Sequence, residues 1–356
     1  MLEPSRPEPS LEIAGRRIGP GQPVYVIAEL SANHHGHREE ALALMRAARE
    51  AGADAVKLQT YTADTMTLDH DGAAFRIGPG TIWSGRRLHE LYLEAATPWE
   101  WHAELFAAAA RLGMHGFSTP FDETAVDFLE GLGVPAYKIA SFEVVDLPLI
   151  QRAARTGKPL IVSTGMASLA EIEEAVCAAR AAGAVGLALL RCTSAYPAPP
   201  DDMHLRTIPH LAAAFGLPAG LSDHSLGIAA PVAAVALGAT VVEKHLTLSR
   251  AVAGPDSAFS LEPGEFRAMV DAIRVAERAL GEVRYGGSAA ELPSRAFRRS
   301  LFAVADIAAG ARLTRDNVRS IRPGDGLAPK FLTAVLGRAA AVDIPRGTPL
   351  SWEVLA

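Results

Sequence analysis

The sequence predicts an α/β fold, a closed (β/α)8 TIM barrel followed by a small second domain. Eight short runs of apolar and β-branched residues alternate with Ala-rich amphipathic segments over roughly 270 residues, a length that suits this barrel. No G-x-G-x-x-G follows the first run, which disfavours an open doubly wound sheet. That sheet stays the alternative, because strand order does not follow from one sequence. The runs are residues 24–30, 55–59, 114–118, 136–140, 159–163, 187–192, 217–222 and 239–245.

Two segments between these runs carry the signals of a helix N-terminus. Residues 97–100 read Thr-Pro-Trp-Glu, which predicts a capping box with proline at the first helical position. Residues 168–171 read Ser-Leu-Ala-Glu and predict a second capping box. The helix that it opens is expected to run through residue 182 and to stop at Gly183.

The composition excludes several classes of protein. A hydrophobic fraction of 49% is enough for a large core, and a net charge of -6 leaves no basic footprint for nucleic acid. The longest uncharged stretch, residues 225–242, contains glycines and a proline, so we expect a buried helix and strand rather than a membrane span. Residues 1–10 are rich in Pro, Ser and Glu, which predicts a flexible tail without a signal peptide. We therefore expect a cytoplasmic protein.

The two cysteines, Cys177 and Cys192, are too few for a disulfide framework. We expect both to be small apolar core residues.

Polar residues cluster where each predicted strand ends. In a parallel barrel all of these ends lie on one face, around a single cavity, so the cluster predicts a binding or active site. The residues are Glu29, Asn33, Lys57, Gln59, Ser118, Thr119, Lys138, Ser141, Glu143, Ser163, Thr164, Arg191, Thr193, Ser194, Ser222, Asp223, His224, Glu243, Lys244 and His245.

His224 and His245 end neighbouring strands. Two neutral imidazoles that leave positions for water and substrate would make an open, catalytic metal site. The alternative is a pair of hydrogen-bonded core histidines.

Three strand-end lysines, Lys57, Lys138 and Lys244, suit a phosphate or carboxylate ligand. Ser141, Thr119, Ser163 and Ser222 would add neutral donors. A Schiff-base aldolase with one nucleophilic lysine is a second interpretation, and structural ion pairs with Glu29, Glu143 or Glu243 are a third.

Other residues near the strand ends are less specific. Glu143 could carry a proton, because burial would raise the pKa of a carboxylate. Asp256 follows Gly-Pro and suits a simple turn as well as a site. Trp83, Trp99 and Trp101 are expected to be core or subunit contacts rather than a sugar platform.

The composition changes after the barrel, which is assigned to residues 11–283. Residues 284–295 are predicted to be a linker, and residues 296–356 a small domain of short strands and turns. This domain contains an internal repeat: residues 306–313 (DIAAGARL) match residues 343–350 (DIPRGTPL), and Arg322 lies in a turn between the two copies.

Several of these segments together resemble the sialic acid synthase family, over nearly the whole chain. The last domain resembles that family's antifreeze-like (β-clip) domain. Residues 29–34 (ELSANH) and 61–68 (YTADTMTL) look like the branch that makes pseudaminic acid. The matching segments are residues 27–34 (IAELSANH), 56–61 (VKLQTY), 118–121 (STPF), 137–141 (YKIAS), 163–166 (STGM), 221–225 (LSDHS), 243–245 (EKH) and 254–256 (GPD).

The resemblance implies a role for each matching residue. The metal ligands would be His224 and His245, for Mn²⁺ or alternatively Mg²⁺ or Co²⁺. The catalytic residues would be Glu143, Glu29, His224 and His245. The phosphoenolpyruvate-binding residues would be Lys57, Thr119, Lys138, Ser141, Ser163 and Ser222. The sugar-binding residues would be Gln59, Tyr196, Asp256 and Arg322, the last reaching the partner's barrel in a domain-swapped homodimer.

The implied reaction condenses phosphoenolpyruvate with 2,4-diacetamido-2,4,6-trideoxy-L-altrose, giving pseudaminic acid and phosphate by C–O cleavage. An N-acetylneuraminate or legionaminate synthase is the near alternative. A Schiff-base aldolase, or a carbohydrate-binding protein built on the C-terminal repeat, is more remote. Two departures from the family pattern affect single contacts: His35 stands where the family has Asn, and Ser194 stands where it has another Asn.

Overall fold

The computed structural model describes residues 9–356 and contains a closed barrel of eight parallel strands. Each strand pairs with the next along the chain, and the last pairs with the first, with Val241 opposite Tyr25 and His245 opposite Glu29. The predicted fold class and all eight predicted strands are therefore confirmed. The barrel strands are β3 (Tyr25–Glu29), β4 (Ala55–Thr60), β5 (His115–Pro120), β6 (Tyr137–Ile139), β7 (Leu160–Ser163), β8 (Leu187–Cys192), β9 (Ala219–Asp223) and β10 (Val241–His245).

A short antiparallel hairpin, β1 (Leu11–Ile13) and β2 (Arg16–Ile18), precedes the barrel. Its Leu11, Ile13 and Ile18 side chains are buried in the same core cluster as the strands. Of the expected flexible tail, residues 1–8 lie outside the part of the chain that the structure describes.

The helices alternate with the strands, and their buried faces are mainly apolar. Two short helices, α2 and α3, lie in the long connection between β4 and α4, so this connection carries more structure than a single crossover needs. The helices of the barrel unit are α1 (Arg38–Glu50), α2 (Ala63–Met66), α3 (Leu88–Ala95), α4 (His102–Arg111), α5 (Glu123–Gly131), α6 (Leu147–Ala154), α7 (Leu169–Ala181), α8 (Thr207–Phe215), α9 (Ala229–Ala236) and α10 (Pro263–Leu280). No helix among residues 9–356 is long and apolar enough to span a membrane.

One of the two predicted capping boxes forms. Ser168 and Glu171 satisfy each other's backbone amides at the start of α7. The box predicted at residues 97–100 is wrong, because the Thr97 hydroxyl is hydrogen-bonded to the buried His34 ring at 3.1 Å. A 3₁₀ turn, Trp99–Trp101, leads into α4 without a side-chain cap.

The two cysteines are both free thiols, but they differ in burial. Cys192 is buried at the end of β8, as expected. Cys177 is exposed on the outer face of α7, so its assignment to the core is wrong.

The chain divides after Gly281 into two compact units. The second contains β11 (Ser300–Ala303), β12 (Val318–Ile321) and α11 (Leu332–Val335) around its own small apolar core. The internal repeat has a structural basis, because Ile307 and Ile344 pair across a local twofold relation. The aspartate that opens each copy accepts a backbone N–H from the other copy at 2.7 Å.

Candidate active site

A cavity of about 430 Å³ opens at the carboxyl ends of the barrel strands. Most of the residues predicted for the site line it, because parallel strands of a barrel end on one face. Those residues are Lys57, Gln59, Lys138, Ser141, Glu143, Ser163, Tyr196, Ser222, His224, His245 and Asp256.

Of the residues to which the family resemblance gives a role, three lie elsewhere. Glu29 and Thr119 are fully buried directly behind the lining, and both contact the Lys57 ammonium group. Arg322 is an exposed residue of the C-terminal unit.

Two lysines and a carboxylate form what we call the cationic floor of the cavity: Lys57, Lys138 and Glu243. The Glu243 Oε1 atom lies 3.5 Å from Lys57 Nζ and 3.9 Å from Lys138 Nζ, and it accepts a hydrogen bond from the Ser222 hydroxyl at 3.2 Å. Burial opposes ionisation of Glu243, but the two ammonium groups hold its pKa below the usual value. A second carboxyl group, Glu29, pairs with Lys57, and burial raises its pKa to about 7. The floor therefore carries a net positive charge, suited to an anionic ligand, while Glu29 is protonated.

In the sequence, Glu243 is one of the polar strand ends, and no role beyond that of a possible structural ion-pair partner is predicted for it. Its central position follows from alternation along β10, since Glu243 and His245 point into the barrel while Lys244 points outward. Lys244 pairs with Asp223 at 2.6 Å and its side chain is completely buried. The structural interpretation is thus correct for Lys244, and only two of the three lysines reach the cavity.

The two floor lysines have different surroundings. Burial works against the charge of Lys57, but Glu243 and Glu29 raise its pKa above the usual value. Lys138 donates to the Ser163 hydroxyl at 2.6 Å and to a backbone carbonyl at 3.1 Å. Burial lowers the pKa of Lys138, which makes it the closer of the two floor lysines to a neutral nucleophile.

His224 and His245 lie side by side, with ring centroids 5.2 Å apart, and both pack against Phe259. The His224 Nδ1 atom is 3.1 Å from the Thr193 carbonyl, which fixes the tautomer that leaves Nε2 available as a ligand. Burial, together with His224 and the lysines, lowers the pKa of His245 well below its usual value, so this ring is neutral. The His245 ring is thus in the form that binds a metal. Burial opposes the charge of His224, but the neighbouring Cys192 raises the pKa of His224 above its usual value.

The donor set fits a metal that takes only part of its ligands from the protein. Among residues 9–356 no three His, Cys, Asp or Glu side chains are grouped closely enough to enclose an ion. The His245 Nδ1 atom is buried without a hydrogen-bond partner, and it lies 3.9 Å from an Asp256 carboxylate oxygen. A site with two imidazoles leaves several coordination positions for substrate and water.

Glu143 ends the 3₁₀ turn Ser141–Glu143, which directly follows β6. Its Oε2 atom is buried without a hydrogen-bond partner in the described chain. Burial raises the pKa of Glu143 to about 7, so the carboxyl group can accept or donate a proton near neutral pH.

Tyr196 and Trp83 form one side of the cavity. The Tyr196 ring packs on the rings of His224 and Trp83, with distances between ring centroids of 4.5 Å and 5.2 Å. The Trp83 indole N–H donates to the Pro255 carbonyl at 2.9 Å, next to Asp256. Trp83 therefore lines the cavity, and its assignment to the core is wrong. Trp99 and Trp101 are packed as expected, against Phe128 and His34.

The cavity is also lined by a group of apolar residues from the connection between β4 and α4, which we call the apolar wall. Its residues are Met66, Ile77, Leu88, Leu91 and Ala95. The sequence analysis missed them, because apolar residues at helical spacing look the same whether they face a core or a cavity. Only the unusual length of this connection could have drawn attention to them.

The two departures from the family pattern lie outside the cavity lining. His35 bridges Glu40 at 2.9 Å and Ser257 at 3.4 Å. Ser194 contacts the Cys192 thiol at 3.8 Å. Asn33 is also structural, since its amide holds the Leu246 carbonyl and the Ser260 hydroxyl.

Comparisons with known proteins agree with this architecture. Residues 44–285 match the NeuB family, and residues 298–356 match the SAF domain. The pseudaminic acid synthase of Helicobacter pylori is 45% identical, covering 93% of this chain and 98% of that protein. The pseudaminic acid synthase of Campylobacter jejuni (strain 81-176) is 46% identical, covering 92% and 95%. The structure of an N-acetylneuraminic acid synthetase from Leptospira borgpetersenii superposes with a TM-score of 0.71 at 31% identity, covering 80% and 94%.

Proposed function

Because the chain belongs to the NeuB family and carries a C-terminal SAF domain, we propose that it is a pseudaminic acid synthase. In this reaction phosphoenolpyruvate condenses with 2,4-diacetamido-2,4,6-trideoxy-L-altrose, giving pseudaminic acid and phosphate by C–O cleavage. The proposal draws on relatives of that name at 45% and 46% identity. A cytoplasmic location, where phosphoenolpyruvate is made, belongs to the same proposal.

The observation that carries the proposal is the contrast between the two sides of one cavity. The cationic floor suits the phosphate and carboxylate of phosphoenolpyruvate, because ammonium groups and hydroxyls are good partners for these anions. The hydroxyls of Ser141, Ser163 and Ser222 line the same side. Two ammonium groups with the Glu243 carboxylate leave a net positive site for an anion while the Glu29 carboxyl group is protonated.

The apolar wall suits the sugar of this branch. A trideoxy sugar with two acetamido groups presents three methyl groups, whereas N-acetylmannosamine presents one methyl and more hydroxyls. Burying a hydroxyl without a hydrogen-bond partner costs roughly 1–3 kcal/mol. The wall therefore favours the deoxy sugar over N-acetylmannosamine, the substrate of an N-acetylneuraminate synthase. A legionaminate precursor is also a trideoxy sugar, so it stays the closer alternative.

Protein groups account for several steps of the reaction. Lys57 and Lys138 would stabilise the phosphate charge in a largely water-free site. Glu143, with its pKa near 7, would accept a proton from the water that adds to carbon 2. Gln59, Tyr196 and Asp256 would orient the sugar. The family resemblance adds a contact from Arg322 of a second copy in a domain-swapped homodimer.

His224 and His245 are proposed to hold a divalent metal, Mn²⁺ or alternatively Mg²⁺ or Co²⁺. Such an ion, when bound, supplies Lewis acidity for the aldehyde oxygen of the sugar. The support is the neutral His245 ring and the fixed tautomer of His224.

The test is phosphate release from phosphoenolpyruvate with Mn²⁺ and one sugar at a time, with and without EDTA. We expect release with the diacetamido-trideoxy-altrose, and its loss on chelation. Release only with N-acetylmannosamine or the legionaminate precursor would contradict the branch. Trapping of pyruvate on Lys138 by borohydride, with no effect of EDTA, would favour the aldolase instead.

A further inference from the structure

Ser31, which follows the first barrel strand by two residues, adopts a backbone conformation that is unfavourable for its type. Its φ is +42°, in the left-handed region, and the residue is buried. A residue other than glycine is strained there, and such strain persists only where the surrounding structure compensates for it. The side chain of Ser31 lines the cavity, which points to its contacts as the reason.

Those contacts connect three separate parts of the barrel. The Ser31 hydroxyl donates to the Asp256 carboxylate and accepts a hydrogen bond from the Gln59 amide at 3.1 Å. The Ser31 backbone N–H donates to Glu29 at 2.8 Å. One short side chain thus ties the end of β3 to the end of β4 and to the loop that follows β10.

The two groups held by the hydroxyl face the end of the cavity near His245. Asp256 lies 3.9 Å from the His245 ring, and Gln59 lines the same region. The Gln59 amide donates to the Ser31 hydroxyl and, at 3.4 Å, to a Glu29 carboxylate oxygen, so the hydroxyl supplies the shorter of the two contacts that orient it. The Ser31 hydroxyl does not contact the two floor lysines. The residue reaches Lys57 only indirectly, through Glu29, and it does so with a backbone N–H that does not depend on the side chain.

We propose that Ser31 is a positioning residue for the sugar substrate, whose hydroxyl fixes the Gln59 amide and the Asp256 carboxylate in the orientation that the sugar requires. This inference rests on the proposed function, which assigns this end of the cavity to the sugar.

The test uses two substitutions and one control. Ser31→Gly removes the hydroxyl and also relieves the strained φ, whereas Ser31→Ala removes the hydroxyl and keeps the strain. Ala14→Gly is the matched control, because Ala14 has a φ of +47° in the exposed turn between β1 and β2 and touches no site residue. Steady-state kinetics for each substrate and thermal unfolding are measured for all three.

We expect both Ser31 variants to lose about 10-fold in kcat/KM for the sugar, with a raised KM for the sugar and an unchanged KM for phosphoenolpyruvate. Ser31→Gly should unfold at or above the wild-type temperature, because glycine tolerates this φ. Ala14→Gly should keep wild-type kinetics. Wild-type sugar kinetics in both Ser31 variants, or an equal loss for both substrates, would overturn the proposal.

A crystal structure of Ser31→Gly gives a readout that does not depend on turnover. We expect the Asp256 carboxylate and the Gln59 amide to take new orientations, and unchanged positions would overturn the inference. If the wild-type protein fails to release phosphate with every sugar tested, the proposed function is contradicted. The crystal structure of Ser31→Gly would then still show whether Ser31 orients Asp256 and Gln59.

Discussion

The cationic floor and the apolar wall line one cavity, yet they come from different kinds of chain segment. The floor residues Lys57, Lys138 and Glu243 stand on strands that are hydrogen-bonded on both sides within the closed barrel. The wall residues come from a connection that makes only short helices. The buried charged groups stand on the barrel strands, which fix their positions. The apolar surface, which would select a sugar by its shape, stands on the connection, a kind of segment that varies more.

The largest effect is expected from the floor. Lys138→Gln removes an ammonium group that lies among Ser163, a backbone carbonyl and Glu243, and kcat/KM for phosphoenolpyruvate should fall about 10²- to 10³-fold. The measurement is the rate of phosphate release at several phosphoenolpyruvate concentrations. Lys158→Gln is the matched control, because Lys158 pairs with Glu130 away from the cavity. It should leave the kinetics unchanged and cost no more than about 1 kcal/mol of stability. A small effect of Lys138→Gln would mean that the floor does not bind the anion.

Glu143 allows a test of intermediate size, through pH. Because its pKa is about 7, the fraction of ionised base should fall below that pH, and kcat/KM should fall with it. Glu143→Gln should lower kcat/KM by about 10²-fold and abolish this limb of the pH profile. A wild-type profile that is flat between pH 5 and 8 would contradict the role as base.

Glu143→Gln, which should lower activity, should raise stability. A carboxyl group whose pKa is raised by folding stabilises the protein below its unfolded pKa of 4.5, and this contribution is lost as the pH rises through about 7. Glu143→Gln should therefore increase the free energy of unfolding at pH 8 relative to the wild type, by up to about 3 kcal/mol. Unfolding at pH 8 and at pH 4 would show whether the gain is confined to high pH.

The smallest effect is expected from the wall. Leu91→Asn places an amide on the apolar surface, and KM for the diacetamido sugar should rise about 10-fold while KM for phosphoenolpyruvate is unchanged. Leu93→Asn is the matched control on the same helix, because Leu93 is 68% exposed. An equal effect of the two substitutions, or a change in both KM values, would remove the distinction between floor and wall.

The fold and the floor were largely predictable, because both follow from local patterns. Eight apolar runs gave the strands, and polar residues at their ends gave the lining. Glu243 illustrates the limit of this reasoning, since its sequence neighbours Lys244 and His245 are also polar and only the pleat decides which side chains share the cavity. The Thr97 capping box failed for a related reason: a distant buried group, His34, takes the hydroxyl.

The sequence by itself determined the periodic features of this protein. These are the alternating strands and helices, the repeat in the C-terminal unit and the polar strand ends, because each depends on residues close together in the chain. Tertiary structure alone decided which side chains meet. It separated Lys244 from the other lysines, brought Trp83 to Tyr196, turned Leu91 and its neighbours towards the cavity and strained Ser31 to hold Asp256. These outcomes depend on contacts between residues that are far apart in the sequence. A local sequence pattern does not predict the energies of such contacts.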